Sequence, residues 1–253
     1  MNYVANSPLL VLVLSFVVLW LSTILGDSLR KRRPPFGEGE RQDFGLILAA
    51  ISTLLGLIIG FTFSIAVSRY DQRRKSEAEE ANAIGTEYVR TDLLPPVDAE
   101  KVRELLKNYL DQRILFYQAT NEDELRRINI HTAQLQRDLW SATQAAAAIK
   151  PTPLAALTVS GMNDVLNTEG YTQAAWWNRI PREAWLLLAT IAMGWTLLLG
   201  YGGHRTYRVL FLVLPLAVSI SFFFIADIES PRRGRIYIVP NNLLRLSQSL
   251  HAH

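Results

Sequence analysis

Residues 54–75, LLGLIIGFTFSIAVSRYDQRRK, pass from uninterrupted hydrocarbon into a dense cluster of charge with no proline or turn signal between them. A segment this apolar belongs in lipid, and the missing breaker predicts a helix that leaves the membrane without stopping. The quoted stretch overlaps an apolar block at 45–68, and three more blocks stand at 8–26, 184–200 and 209–228. Each is close to the roughly 20 residues that cross a bilayer. Four transmembrane helices are therefore expected, in two pairs with short connections inside each pair. The organisation follows: 1–68 for the first two helices, 69–182 for a helical soluble domain continuing the second, 183–228 for the last two, and 229–253 for a tail.

The chain is 49% hydrophobic and yet 19% charged, with the apolar residues gathered into blocks, which excludes an ordinary soluble globule. A cleaved leader is the alternative for the first block. Against it, the apolar run exceeds the usual ~7–15 residues and no basic segment precedes it. Cysteine is absent, which removes a disulfide framework, a thiol nucleophile and thiolate metal sites. The net charge is a modest +3, and the basic residues cluster at membrane edges: Arg30 to Arg33, Arg69 with Arg73 to Lys75, and Arg232, Arg233 and Arg235. Lipid headgroups are natural partners for such clusters. Nucleic acid is not an expected partner, because no recognised binding motif accompanies them.

The soluble segment reads as helical throughout, since its breakers sit only at joints: Pro95 and Pro96, Pro151 and Pro153, and Pro181. Between Asp98 and Ala119, Val102, Leu105, Leu106, Tyr109 and Leu110 share one face at period 3.6. Asn121 with Glu124 predicts an N-cap and a capping-box acid. The following helix carries Leu125, Ile128, Thr132, Leu135 and Leu139 in steps of three and four, most simply an intramolecular core stripe. Thr152 and Pro153 then read as cap and first helical residue. Trp176, Trp177 and Trp185 mark either a membrane-interface belt or core aromatics. Glu77, Glu79 and Glu80 read as a solvated face.

No catalytic constellation is present, so no enzyme, catalytic residue, cofactor or metal site is expected. His131, His204, His251 and His253 have no partner at metal-ligand spacing within a helix. Gly202 and Gly203 read as a turn after the third membrane helix. On the second membrane helix, Gly56, Gly60 and Ser64 form a small-residue ridge that admits a close neighbour. Thr53, Leu57 and Phe61, with Ile65 next, form a bulkier ridge beside it.

The string IGFTFSIAVSRYDQR, residues 59–73, resembles the second transmembrane helix of bestrophins, in which a Gly-Phe pair is followed eight residues after the Phe by Arg and an aromatic. Here these are Gly60, Phe61, Arg69 and Tyr70. More of the chain resembles the bacterial bestrophin-like family: SRYDQRR, EEANAIGTEY, RIPREAW before the third helix, and DIESPRRGRIYIVPNNLLRL after the fourth. The likeness covers nearly the whole sequence. It implies an all-α integral membrane protein with four transmembrane helices and a large helical insert. It also implies a homo-oligomer, pentameric, that conducts an anion such as chloride across the bacterial inner membrane.

Carried over by position, the resemblance makes Thr53, Leu57 and Phe61 a hydrophobic neck, with Thr53 departing from the bulky apolar pattern. Rings of apolar side chains close a narrow pore by dewetting, so little motion opens it. Arg69, Arg73 and Arg74 would form a basic rim, and Gly56, Gly60 and Ser64 the packing ridge. On this reading Gly45 to about Leu93 is one helix of about 70 Å serving pore and soluble vestibule. The calcium-clasping acidic run of animal bestrophins has only Asp227 and Glu229 in its place here, so calcium gating is not expected. Membrane orientation is contested within the sequence. RKRR after the first helix places that loop inside, while RYDQRRK after the second and the family likeness place the soluble domain on the cytoplasmic side. The competing function is a non-conducting scaffold or signalling subunit whose helical domain binds a partner. A coupled transporter would need an ionisable residue in mid-membrane, and none of the four blocks has one.

Overall fold

The computed structural model describes residues 7–32, 34, 36–202, 209–232 and 234–251. Arg33, Gly203, His204, Arg233 and His253, named above, lie outside the described residues. The regular elements among the described residues are helical: α1 Pro8–Arg30, α2 Glu38–Arg90, a 3₁₀ turn Thr91–Leu93, α3 Pro96–Gln118, α4 Glu122–Ile149, α5 Pro153–Trp177, α6 Arg182–Gly202, α7 Leu210–Glu229 and α8 Asn241–His251. Among the described residues, four helical stretches are long and apolar enough to cross a membrane: Pro8–Arg30, Gly39–Leu93, Pro153–Gly202, which runs over both α5 and α6, and Phe211–Glu229. The protein is an all-α membrane protein with a helical insert between its second and third spans.

The helix that the opening stretch predicts is present. α2 runs unbroken from Glu38 to Arg90, and the 3₁₀ turn carries the chain on to Leu93. Its stop is set by Pro95, which forces the preceding Leu94 into extended backbone at ψ 163°.

The chain divides into two compact units, the first made of 1–68 and 179–237, the second of 69–178 and 238–253. In the first, α1 packs against α6 and α7. The core gathers Leu19, Leu55, Leu188, Trp195 and Phe222. α1 and α6 cross backbone to backbone: a Cβ on Gly26 would strike Leu197, and one on Gly200 would strike Thr23. Ser22 fastens the crossing by donating to the Met193 carbonyl at 2.9 Å. Gly202, expected in a turn, is instead the last residue of α6, and a Cβ there would collide with the Phe44 ring. Asp227 accepts from the backbone N–H groups of Arg235 (2.8 Å) and Ile236 (3.1 Å), and Glu229 from that of Ile180 (2.9 Å). These two acids therefore tie down the chain entering and leaving the last pair of helices.

In the second unit α4 packs against α3 and α5, around Val102, Leu106, Tyr109, Leu135, Leu139 and Met162. The α4 stripe is intramolecular core: Ile128, Thr132, Leu135 and Leu139 are buried and Leu125 half-buried. Both caps form as their residue types predict. Asn121 Oδ1 accepts from the Glu124 N–H at 2.7 Å, and Thr152 Oγ1 from the Ala155 N–H at 3.1 Å. Trp176 is a core aromatic stacked edge-on against Phe116 and Tyr117, whereas Trp177 is 76% exposed. Trp185, in the first unit, packs edge-on against Phe222.

Candidate pore-lining helix

In the membrane unit the residues of α2 that face their own chain include Leu48, Ile51, Leu55, Ile58, Thr62 and Ala66, a stripe in steps of three and four, with Ile59 beside it. Both ridges singled out above lie away from that stripe. Thr53, Leu57 and Phe61 are exposed, Leu57 by 52% and Phe61 by 62%. Gly56, Gly60 and Ser64 are exposed too, and a Cβ on either glycine would meet open space. Only 6% of the most apolar window of this span is buried, against 44% for α7. A helix so apolar and so little covered by its own chain has most of its surface left for lipid or for other copies. Thr53 is less polar than its type implies, because its hydroxyl donates back to the Ala49 carbonyl at 3.0 Å.

The three arginines beyond the apolar stretch differ in kind. Arg74 is exposed and Arg69 half-buried. Arg73, expected on the rim, is completely buried, and this removes it from that role. Its Nε donates to the Ala175 carbonyl at 3.1 Å and its Nη2 to the Asn178 carbonyl at 3.2 Å. A guanidinium at the C-terminus of α5 satisfies carbonyls that the helix leaves open and meets the negative end of its dipole.

The acids read as a solvated face are a second correction. Glu79 is exposed and faces Lys75 at 3.5 Å, but Glu77 and Glu80 are buried. Glu77 caps α8: its Oε1 accepts from the Asn242 and Leu243 N–H groups at 2.8 and 3.0 Å, and its Oε2 from the Asn242 side chain at 2.6 Å. Glu80 pairs with Arg113 of α3, both fully buried, and also accepts from Thr172 (3.3 Å) and Tyr117 (3.4 Å). Glu169 supplies a second carboxylate 3.7 Å from Arg113. Desolvation alone would lower the Arg113 pKa; the Glu80 carboxylate reverses this and holds the guanidinium above its ordinary value. Desolvation pushes the Glu80 carboxyl above the usual range, with Arg113 pulling it back. Burial likewise raises Tyr109 and Tyr117, so both phenols stay neutral.

The features so far define a class: a helical membrane protein whose second span is open on one side and continues into a helical insert. A family model described as the bestrophin-like domain matches residues 9–243, and the chain belongs to that family. Its fold is similar to that of a bacterial bestrophin homologue from Klebsiella pneumoniae. A mutant form of that protein is 12% identical and superposes with a TM-score of 0.67 over 95% of this chain and 98% of the other. Another crystal structure of the homologue gives 14% identity and a TM-score of 0.66 over 96% and 97%. No protein of curated function matches the sequence.

Proposed function

We propose that this protein is an ion channel of the bestrophin-like family, with α2 of each copy lining a pore through the bacterial inner membrane. Copies assemble as a pentamer. Leu57, Phe61 and the methyl face of Thr53 form a dewetting neck, and Gly56, Gly60 and Ser64 let neighbouring copies of α2 approach. Arg69 and Arg74 form the rim that favours an anion such as chloride. The helical unit lies on the cytoplasmic side.

One observation carries this reading: both ridges of α2 sit on the face that its own chain leaves uncovered. A ring of identical helices needs two such faces, one for the axis and one for a neighbour. At about 100° per residue the two ridges are centred about 60° apart. The axis and neighbour directions differ by about 54° in a closed ring of five and by about 60° in a ring of six, so the ridges suit a ring of about this size; the number five comes from the family likeness.

The test is ion flux into liposomes, comparing chloride with sodium gradients, for wild type and for Leu57→Ala with Phe61→Ala. The expected result is a chloride-selective flux that rises in the truncated variant. Silence from both proteins, with insertion and oligomerisation verified, would replace the channel by the scaffold.

A further inference from the structure

Glu87 stands on the part of α2 that belongs to the helical unit, well beyond the apolar stretch, and its side chain is 0% exposed. Neither carboxylate oxygen has a hydrogen-bond partner. The cause lies on α5. The carboxylate rests against the bare backbone of Gly161, where a Cβ would collide with Glu87 Oε2 and with the Arg90 guanidinium. Gly161 is therefore small because a carboxyl group occupies the seam, not because its backbone needs a positive φ. Beside the Arg90 guanidinium the seam is apolar: Ile84 on α2 and Met162 and Val165 on α5 are fully buried. Thr158 closes its end by donating to the Arg90 carbonyl at 3.2 Å.

An ionised carboxylate without donors is among the most expensive groups to bury, whereas its protonated form is a compact neutral one. The charged groups nearest the seam relieve it only in part. Arg90, one turn further along α2, attracts the charge without forming an ion pair, and Asp164 on α5 repels it. Asp92 of the 3₁₀ turn is held by Arg103 of α3, and Lys107 of α3 stands 5.8 Å over the Tyr88 ring.

We propose that Glu87 is a proton-binding site that governs the contact between α2 and α5: with the proton bound the helices close on Gly161, and its loss opens them. Burial, the largest influence, with Arg90 opposing and Asp164 assisting, raises the carboxyl from its ordinary 4.5 to about 8. The sign follows from linkage. The folded seam holds a proton that the opened seam releases, so closure is most favourable at and below the ordinary carboxylate range. It weakens as pH rises through the interval up to about 8 and stays weak above it. This inference does not depend on the channel reading.

Hydrogen exchange of the full-length, reconstituted protein tests it, at several values between about pH 6 and about pH 9, corrected for the intrinsic pH dependence of amide exchange. In wild type, protection of peptides spanning 84–93 and 155–168 is expected to fall about tenfold per pH unit up to about pH 8 and then to level off. Protection around Leu135 and Leu139 of α4 is the internal control. Glu87→Gln, which keeps the shape of the neutral acid, is expected to hold high protection throughout. Identical profiles in wild type and Glu87→Gln would overturn the proposal. Infrared titration of wild type beside Glu87→Leu, read in the difference spectrum so that any band of the buried Glu80 carboxyl cancels, decides the matter even if the glutamine variant does not fold. A protonated-carboxyl band present at about pH 6 and lost near pH 8 supports the proton site, and no such band at about pH 6 overturns it.

Discussion

Arg73 and Arg74 are neighbours in sequence with the same side chain and opposite duties. On a helix in water a run of basic residues is a solvated edge. Here a rotation of one position takes Arg73 onto the α5 terminus and leaves Arg74 exposed. The charged hydrogen bonds of Arg73 join residues more than a hundred positions apart, and deleting them strands buried carbonyls as well. Arg73→Ala is therefore expected to destabilise the protein by about 2–4 kcal/mol. Arg74→Ala should stay within about 0.5 kcal/mol. Thermal unfolding of the two purified variants in one detergent checks this contrast, and equal midpoints would remove Arg73 from the fastening of α5.

The helices themselves show what a sequence discloses and what it withholds. The four spans, the continuity of α2, the caps at Asn121 and Thr152 and the core stripe of α4 were all legible, because each is set by residues within a turn or two of one another. The burial of Glu77 and Glu80 was not. Acidic residues on a helix signal water unless a partner is known, and their partners are Asn242 and Leu243 on α8 and Arg113 on α3. The one available hint was spacing: Arg73, Glu77, Glu80, Ile84 and Glu87 continue the three-and-four stripe by which α2 packs in the membrane unit. Small residues carried a similar ambiguity. Gly56 and Gly60 stood out by regular spacing, yet the backbone-to-backbone crossing of α1 and α6 is made by Gly26 and Gly200, two residues on different helices that no local pattern connects. The two pairs should respond differently to bulk. Gly200→Val is expected to break the α1–α6 crossing and abolish folded protein, since its side chain would be built into the Thr23 backbone. Gly56→Val meets open space within the chain, so the monomer should fold while oligomer is lost. Size-exclusion chromatography with light scattering distinguishes the two outcomes, and an intact oligomer for Gly56→Val would move the subunit contact off this ridge.

At the scale of the whole molecule, α2 contributes residues up to Ser68 to the membrane unit and from Arg69 onward to the helical one, with no loop or breaker between them. The proposed channel thus has its gate and its charge selection on one helix, at positions that substitution can separate. The neck acts through hydration: Leu57→Asn with Phe61→Asn wets the constriction, and flux should rise while the preference for chloride over sodium stays unchanged. The rim acts through field. Arg74 is exposed, so Arg74→Glu is expected to fold normally and, repeated around a ring, to lower the chloride preference by about tenfold without opening the neck. That effect should also shrink at high salt, because exposed charges are screened within about 10 Å at 0.1 M ionic strength. Reversal potentials and conductance in planar bilayers measure the two properties independently. If neck substitutions changed ion preference and Arg74→Glu did not, selection would belong to the constriction itself, and the basic cluster after α2 would return to the simpler duty of meeting lipid headgroups.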